Sequence, residues 1–251
     1  MGAPGVTYDG LEPDDLAARI RAPRCLVLPQ VTSTLDILHQ LAAEGAPDGT
    51  VVLADEQVAG RGRQGRRWHS PPGAGILLGY LHRPRREPIA GVLALRVGMA
   101  VGQALQALGL EPRLKWPNDV VIGDKKVGGI LCEARTAPGG GAWVAVGVGL
   151  NIHGPLAAEV AAHAAALDQL DSTITRLAVL EELVPRLHQL AEGPALTAAE
   201  QAAYRGYDWL AGREVVEPLP GRVSGVDPDG ALVVETRHGP RRVLAGSVVV
   251  A

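Results

Sequence analysis

All three lysines of this 251-residue chain fall between positions 115 and 126. The run reads Lys115-Trp116-Pro117-Asn118-Asp119-Val-Val-Ile-Gly123-Asp124-Lys125-Lys126-Val-Gly128-Gly129. The remaining 21 of the 24 Lys and Arg side chains are arginines, and Asn118 is one of only two asparagines, the other being Asn151. Lysine is a compact point charge on a flexible stem, suited to a carboxylate or phosphate in a narrow pocket, whereas arginine is a planar fork. A chain that elsewhere takes its positive charge from arginine has kept lysine here. That pattern points to an anion site, with a solvated turn as the plain alternative.

A second run could do related chemistry: Gly60-Arg61-Gly62-Arg63-Gln64-Gly65-Arg66-Arg67-Trp68-His69-Ser70-Pro71, preceded by Asp55-Glu56-Gln57. Gly60, Gly62 and Gly65 formally satisfy the G-x-G-x-x-G dinucleotide fingerprint, but that device needs a helix to begin at the loop, and Ser70-Pro71-Pro72-Gly73 forbids one. No acidic residue stands about twenty positions on, where a ribose would need it. Nor is it a phosphate-binding Walker loop, since no Gly-Lys-Ser/Thr follows. Four arginines on a glycine-rich backbone instead make a cationic lid that can fold over phosphates and neutralise charge developing at phosphorus. A solvated basic loop or an RNA-binding Arg-Gly tract are the alternatives; the latter usually repeats, and this run occurs once. Trp68 and Trp116 each follow a cationic cluster and could pack a nucleobase or wall the site. Asn151 ends an apolar run beside Gly147 and Gly149, where its amide could read a base edge or cap the following loop.

These segments need elements to hold them. Leu26 begins a strand, and Ser33-Thr34 sits at an N-cap before Leu35, Ile37, Leu38 and Leu41, which predicts a helix ending at Gly45. Thr50–Ala54 and Gly75–Leu81 read as buried strands, and Ile89–Leu108 has helical periodicity closed by Gly109. Val120–Ile122 and Val127–Glu133 form a predicted hairpin around Gly123-Asp124. Strand alternation lets only one of Lys125 and Lys126 face a pocket. Trp143–Ile152 reads as a strand, residues 156–204 as helical with a break near Gly193-Pro194, and a short helix is predicted at Asp14–Arg21. After Gly212 five short strands separated by Pro, Gly and Asp-Gly turns predict a small barrel. The fold class expected is α+β, mostly antiparallel, with a compact β appendage.

Composition sets bounds. Hydrophobic content of 47% against 20% charged residues describes a globular chain with material for a core, and with no Phe the aliphatic residues must fill it. A net charge of −3 gives no global reason to bind nucleic acid or membrane. The two cysteines, Cys25 and Cys132, have neither metal-ligand nor disulfide-framework spacing. The first residues lack a basic start and apolar stretch, and no apolar run reaches spanning length, so a cytoplasmic protein is expected.

Four runs occur in order: Gly60–Pro71, Lys115–Asp119, Lys126-Val-Gly-Gly-Ile-Leu131 and Gly147-Val-Gly-Leu-Asn151. Together they resemble the successive signature motifs of bacterial biotin protein ligases, from about residue 26 to the C-terminus. The resemblance implies a catalytic domain akin to class II aminoacyl-tRNA synthetases and lipoyl ligases over residues 1–208, with residues 1–24 a variable segment, and an SH3-like domain over 209–251. It implies an enzyme that joins biotin to ATP, giving biotinyl-5′-AMP, and then passes biotin to a lysine of a biotin carboxyl carrier protein, a subunit of acetyl-CoA carboxylase. Biotin is then a substrate and ATP a co-substrate with Mg²⁺, with no tightly held protein-ligated metal. A lipoate or octanoate ligase of the same fold is the rival.

By position, Ser33, Thr34, Gln57, Gly60, Arg61, Gly62, Arg63, Lys126 and Gly129 match the biotin and adenylate site. Arg63, Arg66, Trp68, Lys115, Asn118, Asp119, Lys126 and Asn151 match the ATP side. Lys126 and Arg63 are the catalytic cations, and Asp119 is the residue that would share Mg²⁺ with the phosphates. The family register favours Lys126 over Lys125 as the inward lysine. Leu35 departs from the pattern, standing where relatives have Asn after the Ser-Thr pair, and no basic residue stands in Ser247–Ala251, so no ATP contact is assigned there. A DNA-binding winged helix needs about sixty residues, and about 25 precede Leu26, so DNA binding is not expected. A homodimer is.

Overall fold

A computed structural model describes residues 6–85, 90–137 and 141–251. Seven strands build the main sheet: β1 (Cys25–Val31), β2 (Val51–Gln57), β3 (Gly75–His82), β4 (Pro112–Lys115), β5 (Asp119–Ile122), β6 (Lys125–Thr136) and β7 (Ala142–Asn151). Their order is β1-β2-β3-β7-β6-β5-β4. Only β1 and β2 run parallel, joined by the helix α2 (Thr34–Ala43); every other neighbouring pair is antiparallel.

β3 is buried at all eight positions because both faces are covered. Ile76, Leu78 and Tyr80 face the large core with α1 (Pro13–Ile20), α3 (Ala90–Ala107) and α5 (Arg176–Leu187). Leu81 turns the other way, towards Leu35, Leu38 and Leu41 of α2. Alternation along one strand thus places the two helical layers. α3 stops where Gly109 takes a left-handed φ of 83°; its predicted start at Ile89 lies outside the described residues. No described helix is long and apolar enough to cross a membrane.

The predicted helical stretch over 156–204 breaks around Gly193-Pro194 as expected, and it also breaks earlier. It holds the one-turn α4 (Ala158–Ala161), α5 and the first part of α6 (Ala198–Tyr207). Between α4 and α5 the Asp171 carboxylate accepts hydrogen bonds from the Thr173 amide and hydroxyl, offering the backbone a local turn in place of a helix. β4 carries no alternation long enough to predict. The N-terminal segment is tied down: Tyr8 is fully buried, the Arg176 guanidinium lies 4.0 Å from its ring centroid, and Arg176 pairs with Asp9 and Asp55.

The C-terminal sheet contains β8 (Glu214–Glu217), β9 (Gly221–Val226), β10 (Leu232–Thr236), β11 (Gly239–Val243) and β12 (Val249–Val250), in the order β11-β10-β9-β8-β12. Its edge strands β11 and β12 are not paired with each other, so its hydrogen bonding is open. It meets the main sheet through Trp116, whose Nε1 donates to the Gly230 carbonyl at 2.9 Å.

Candidate active site

A cavity of about 200 Å³ lies over the β3-β7-β6 part of the main sheet, walled by the start of α2, the arginine run, the β4–β5 turn and residues 246–248. The arginine run is a hairpin. The Trp68 amide donates to the Gly60 carbonyl at 3.0 Å, Arg61 and Arg67 bridge, and the Gly62 amide donates to the Arg66 carbonyl at 2.8 Å. Gln64 and Gly65 turn the tip with left-handed φ of 57° and 71°. No helix follows this hairpin; the chain runs on into β3.

Each wall has a local cause. Ser33 caps α2, its hydroxyl accepting the Leu35 amide at 3.4 Å. Gln57 ends β2 with its Oε1 accepting the Thr34 amide at 2.8 Å and hydroxyl at 3.2 Å, which fixes α2 against β2. The Trp68 indole lies flat on the glycines of β6 and β7: a Cβ on Gly149 would sit 2.5 Å from its Cε2, and one on Gly129 3.3 Å from its Cζ3. Glycine at these positions is therefore room for a tryptophan.

Both adjacent lysines are held, in different directions. Lys126 lines the cavity, with its Nζ 2.6 Å from Asp119 Oδ1 and 5.7 Å from the Trp68 ring centroid. Lys125 points away, its Nζ donating to the carbonyls of Ala161 at 3.3 Å and Ala162 at 2.5 Å. The Lys126 backbone is clamped on both sides, its amide donating to the His163 carbonyl and its carbonyl accepting the Ala165 amide. Asn118 bridges β5 and β6 through Ile130, side chain to carbonyl at 3.0 Å. Lys115 lies 5.2 Å from the Trp209 ring centroid, on an indole whose Nε1 donates to the Gly123 carbonyl.

Of the residues matched to the biotin and ATP sites, all line the cavity except Gly60 and Asn151. Gly60 sits in the hairpin base, where a Cβ would meet the Trp68 carbonyl at 2.4 Å. The Asn151 side-chain amide donates to the Ala165 carbonyl at 3.3 Å. Trp116 is buried on the cavity wall. Gly246, Ser247 and Val248 also line the cavity, which the sequence did not suggest. Ser247 Oγ accepts from Arg66 Nη2 at 3.2 Å and donates to Gln64 Oε1 at 3.1 Å. A lone serine in a polar turn carries no signal for that contact.

The electrostatics are one-sided. Six cations, Arg61, Arg63, Arg66, Arg67, Lys115 and Lys126, line the cavity against a single carboxylate, Asp119. Burial holds the Arg63 guanidinium below its usual pKa, with Asp119 opposing the shift. Arg61 lines the cavity and is also held from behind, by Asp36 at 2.6 Å and by both oxygens of Glu133 at 3.0 and 3.1 Å. Among the described residues no group of three or more His, Cys, Asp or Glu side chains is placed to hold a metal ion. A Mg²⁺ carried by phosphate oxygens needs few protein ligands, and the one carboxylate on the wall fits that requirement.

Residues 27–151 match the Biotin/lipoate A/B protein ligase family. The biotin–[acetyl-CoA-carboxylase] ligase of Mycobacterium tuberculosis is 34% identical over 241 residues, covering 89% of this chain and 87% of that protein. The bifunctional ligase/repressor BirA of Bacillus spizizenii is 30% identical over 234 residues, covering 87% of this chain and 71% of that one. The chain belongs to the biotin protein ligase family. The biotin protein ligase of Aquifex aeolicus, solved in complex with biotin and ATP, superposes with a TM-score of 0.73 at 26% identity, over 91% of this chain and 99% of that one. The mixed α+β architecture around the large sheet is that of biotin protein ligases.

Proposed function

We propose that this chain is an ATP-dependent biotin protein ligase that makes biotinyl-5′-AMP and transfers biotin to a lysine of a biotin carboxyl carrier protein. The observation that carries the reading is six cations against one carboxylate on a single cavity of a chain whose net charge is −3. Concentrating positive charge so locally, against the sign of the whole molecule, makes a site for a polyanion such as a nucleoside triphosphate.

The cavity has two ends. Near α2 its wall is apolar, from Leu35, Leu77, Leu78, Leu131 and Val148, with Ser33, Thr34 and Gln57 as polar points. That end suits the biotin ring system and its aliphatic chain, with the polar points, Arg61 and Gly62 towards the ureido group. The opposite end carries Lys115, Asn118, Asp119, Arg66 and Trp68, and takes the nucleotide. Between them stand Lys126 and Arg63. A carboxylate is a weak nucleophile, so positioning and charge neutralisation must supply the rate. Lys126 holds the biotin carboxylate against the α-phosphate. The carboxylate oxygen attacks phosphorus, the bond to the bridging oxygen breaks, and pyrophosphate leaves with the electron pair towards Arg63 and Arg66. Mg²⁺, shared between Asp119 and the phosphates, would add charge neutralisation when bound. The carrier amine then attacks the acyl carbon, AMP departs with the electron pair of the mixed-anhydride bond, and the amine loses a proton. The anhydride is hydrolysable, and the hairpin excludes water from it.

Acetyl-CoA carboxylase as the source of the carrier follows the name of the 34% identical relative. We also read the five strands after residue 209 as an SH3-like module, supported by their short antiparallel succession. Incubation with ATP, Mg²⁺, a carrier domain and either biotin or lipoate, read by mass spectrometry, tests the function. A biotinyl adduct is expected; lipoyl without biotinyl transfer would overturn it.

A further inference from the structure

The committed state of Arg61 leads to residues that neither the motifs nor the proposed chemistry uses. Glu133 lies on β6, two residues beyond the Lys126–Leu131 run. Three donors converge on its carboxylate: Arg61 Nε at 3.0 Å, Arg61 Nη2 at 3.1 Å and His39 Nε2 at 3.1 Å. His39 is buried on α2, and its other ring nitrogen, Nδ1, accepts from the indole Nε1 of Trp143 at 3.0 Å. An indole N–H can only donate, so Nδ1 must be the bare nitrogen and Nε2 must carry the hydrogen. The tautomer that donates to Glu133 is therefore the one Trp143 enforces. Burial, only partly opposed by Glu133, holds the His39 ring below its ordinary pKa, in the same direction as the Trp143 contact. On its other side Arg61 Nη1 is held by Asp36 Oδ1 at 2.6 Å, and Asp36 in turn accepts from the Thr32 hydroxyl at 3.0 Å.

We infer that Glu133, oriented by His39 and Trp143, is a positioning residue that fixes the base of the arginine hairpin over the substrates through Arg61. The inference rests on the ligase reading of the cavity. Arg61 is the second residue of the hairpin and its backbone bridges Arg67 across the base, so a held guanidinium ties down both strands of the loop at that point. Three of its five N–H groups go to Glu133 and Asp36, leaving one on each terminal nitrogen for a ligand. The charge pairs at this end contrast with the tip, whose side chains, among the described residues, bond only to the Ser247 hydroxyl. The loop is hinged at Arg61 and latched at Ser247. Opening for substrate entry then breaks the tip contacts and keeps the base.

Glu133→Gln is the decisive variant. A carboxamide offers one oxygen where the carboxylate offered two, and its NH₂ confronts a donor on either Arg61 or His39. With charge-assisted bonds lost at a partly buried site, biotinyl-AMP should escape from E133Q about tenfold faster than from the wild type. Asp36→Asn, at the solvent side of the same guanidinium, should raise escape about threefold and guards against a folding defect in the first variant. Hydrogen exchange without any ligand supplies the second readout: faster exchange in residues 60–68 alone marks a loop anchor, whereas faster exchange throughout β6 and β7 marks a merely structural role and overturns the inference. Wild-type escape rates in both variants would overturn it as well. Trp143→Phe keeps a ring but removes the indole donor, and should reproduce the exchange pattern of E133Q; wild-type exchange there would cut Trp143 and His39 out of the anchor. A wild-type enzyme that forms no adenylate would refute the ligase reading, and the exchange arm would still decide whether Glu133 anchors the hairpin.

Discussion

Gly149→Ala places a single methyl group where the site can least absorb it. The new Cβ would lie 2.5 Å from Trp68 Cε2, 2.7 Å from Cζ2 and 3.0 Å from Cδ2. Ordinary carbon contacts are about 3.5 to 4.0 Å, so the indole must retreat by about 1 Å. Those atoms belong to the fused body of the ring, which cannot fold aside as the end of an aliphatic chain would. The Trp68 backbone is pinned by its amide on the Gly60 carbonyl. Overpacking of this kind costs about 1 to 3 kcal/mol of stability. The larger effect falls on chemistry, because the same ring faces Lys126 at 5.7 Å. A misplacement of about 1 Å among reacting groups costs about a hundredfold in rate.

The assay is pyrophosphate release with biotin and ATP varied in turn, alongside a thermal melt. G149A should lose about a hundredfold in kcat/KM while remaining folded. Gly147→Ala is the comparison, since its Cβ would press only on the Leu35 methyl ends, at 3.2 and 3.4 Å, and meet the Leu131 carbonyl oxygen at an ordinary 3.5 Å. Those atoms can rotate aside, so the loss should stay within about threefold. If the route runs through the indole, adding Gly149→Ala to Trp68→Ala should cost almost nothing further, as neighbouring sites sharing one contact are not additive. Activity of G149A within threefold of the wild type, or full additivity with W68A, would refute the reasoning.

Lys126→Ala should abolish adenylate formation, whereas Lys125→Ala, which removes only the bonds to Ala161 and Ala162, should leave most of it; equal losses would sink the division of roles. Arg63→Gly removes a cavity cation and loosens the hairpin, so adenylate should leak into solution, and an unchanged dissociation rate would count against the lid. For stability against pH, Glu200 is informative. Burial raises its pKa, but hydrogen bonds from Arg96 and the Thr197 amide outweigh that and leave it below the usual carboxylate value. A carboxyl depressed on folding stabilises fully above its unfolded pKa and loses that contribution as pH falls through the folded value. Glu200→Gln should therefore cost about 2 kcal/mol at neutral pH and flatten the acid limb of the stability profile; a parallel shift at all pH values would contradict it.

Much of the site was legible because its chemistry is local in sequence. The N-cap at Ser33, the glycine stops at Gly45 and Gly109, and the hairpin around Gly123-Asp124 are short-range signals with fixed backbone causes. What stayed hidden depends on contacts between distant residues. Gly149 reads as a flexible strand position until Trp68, 81 positions earlier, is seen lying on it. Arg61 reads as one more ligand cation until Asp36 and Glu133 are found holding it. The bond from Asn151 to the Ala165 carbonyl joins residues 14 positions apart, a pairing that a strand-end amide does not announce. The helical pattern over 156–204 failed for a different reason: alanine favours helix wherever it stands, so composition alone could not see the turn that Asp171 builds.

The cavity's cations divide by what holds them, and the division gives the reaction its order. Arg61 and Lys126 meet the substrates already paired with carboxylates, so their positions are set before any ligand arrives. Arg63, Arg66, Arg67 and Lys115 face the same cavity with no carboxylate partner among the described residues. Like charges gathered in a low-dielectric cleft repel, so the empty site carries a cost that a polyanion relieves. Closure of the hairpin and nucleotide binding are then two sides of one coupling, since each favours the other by the same free energy. The anionic charge in the cavity is greatest with ATP, falls when pyrophosphate leaves, and falls again when AMP departs. In the proposed reaction the hold on the hairpin would weaken in the same sequence, while the paired residues would keep the adenylate in register until the second step. A loop anchored by charge at its base and latched by a hydroxyl at its tip suits that gradient, because the weaker contact gives way first and the aligned one persists.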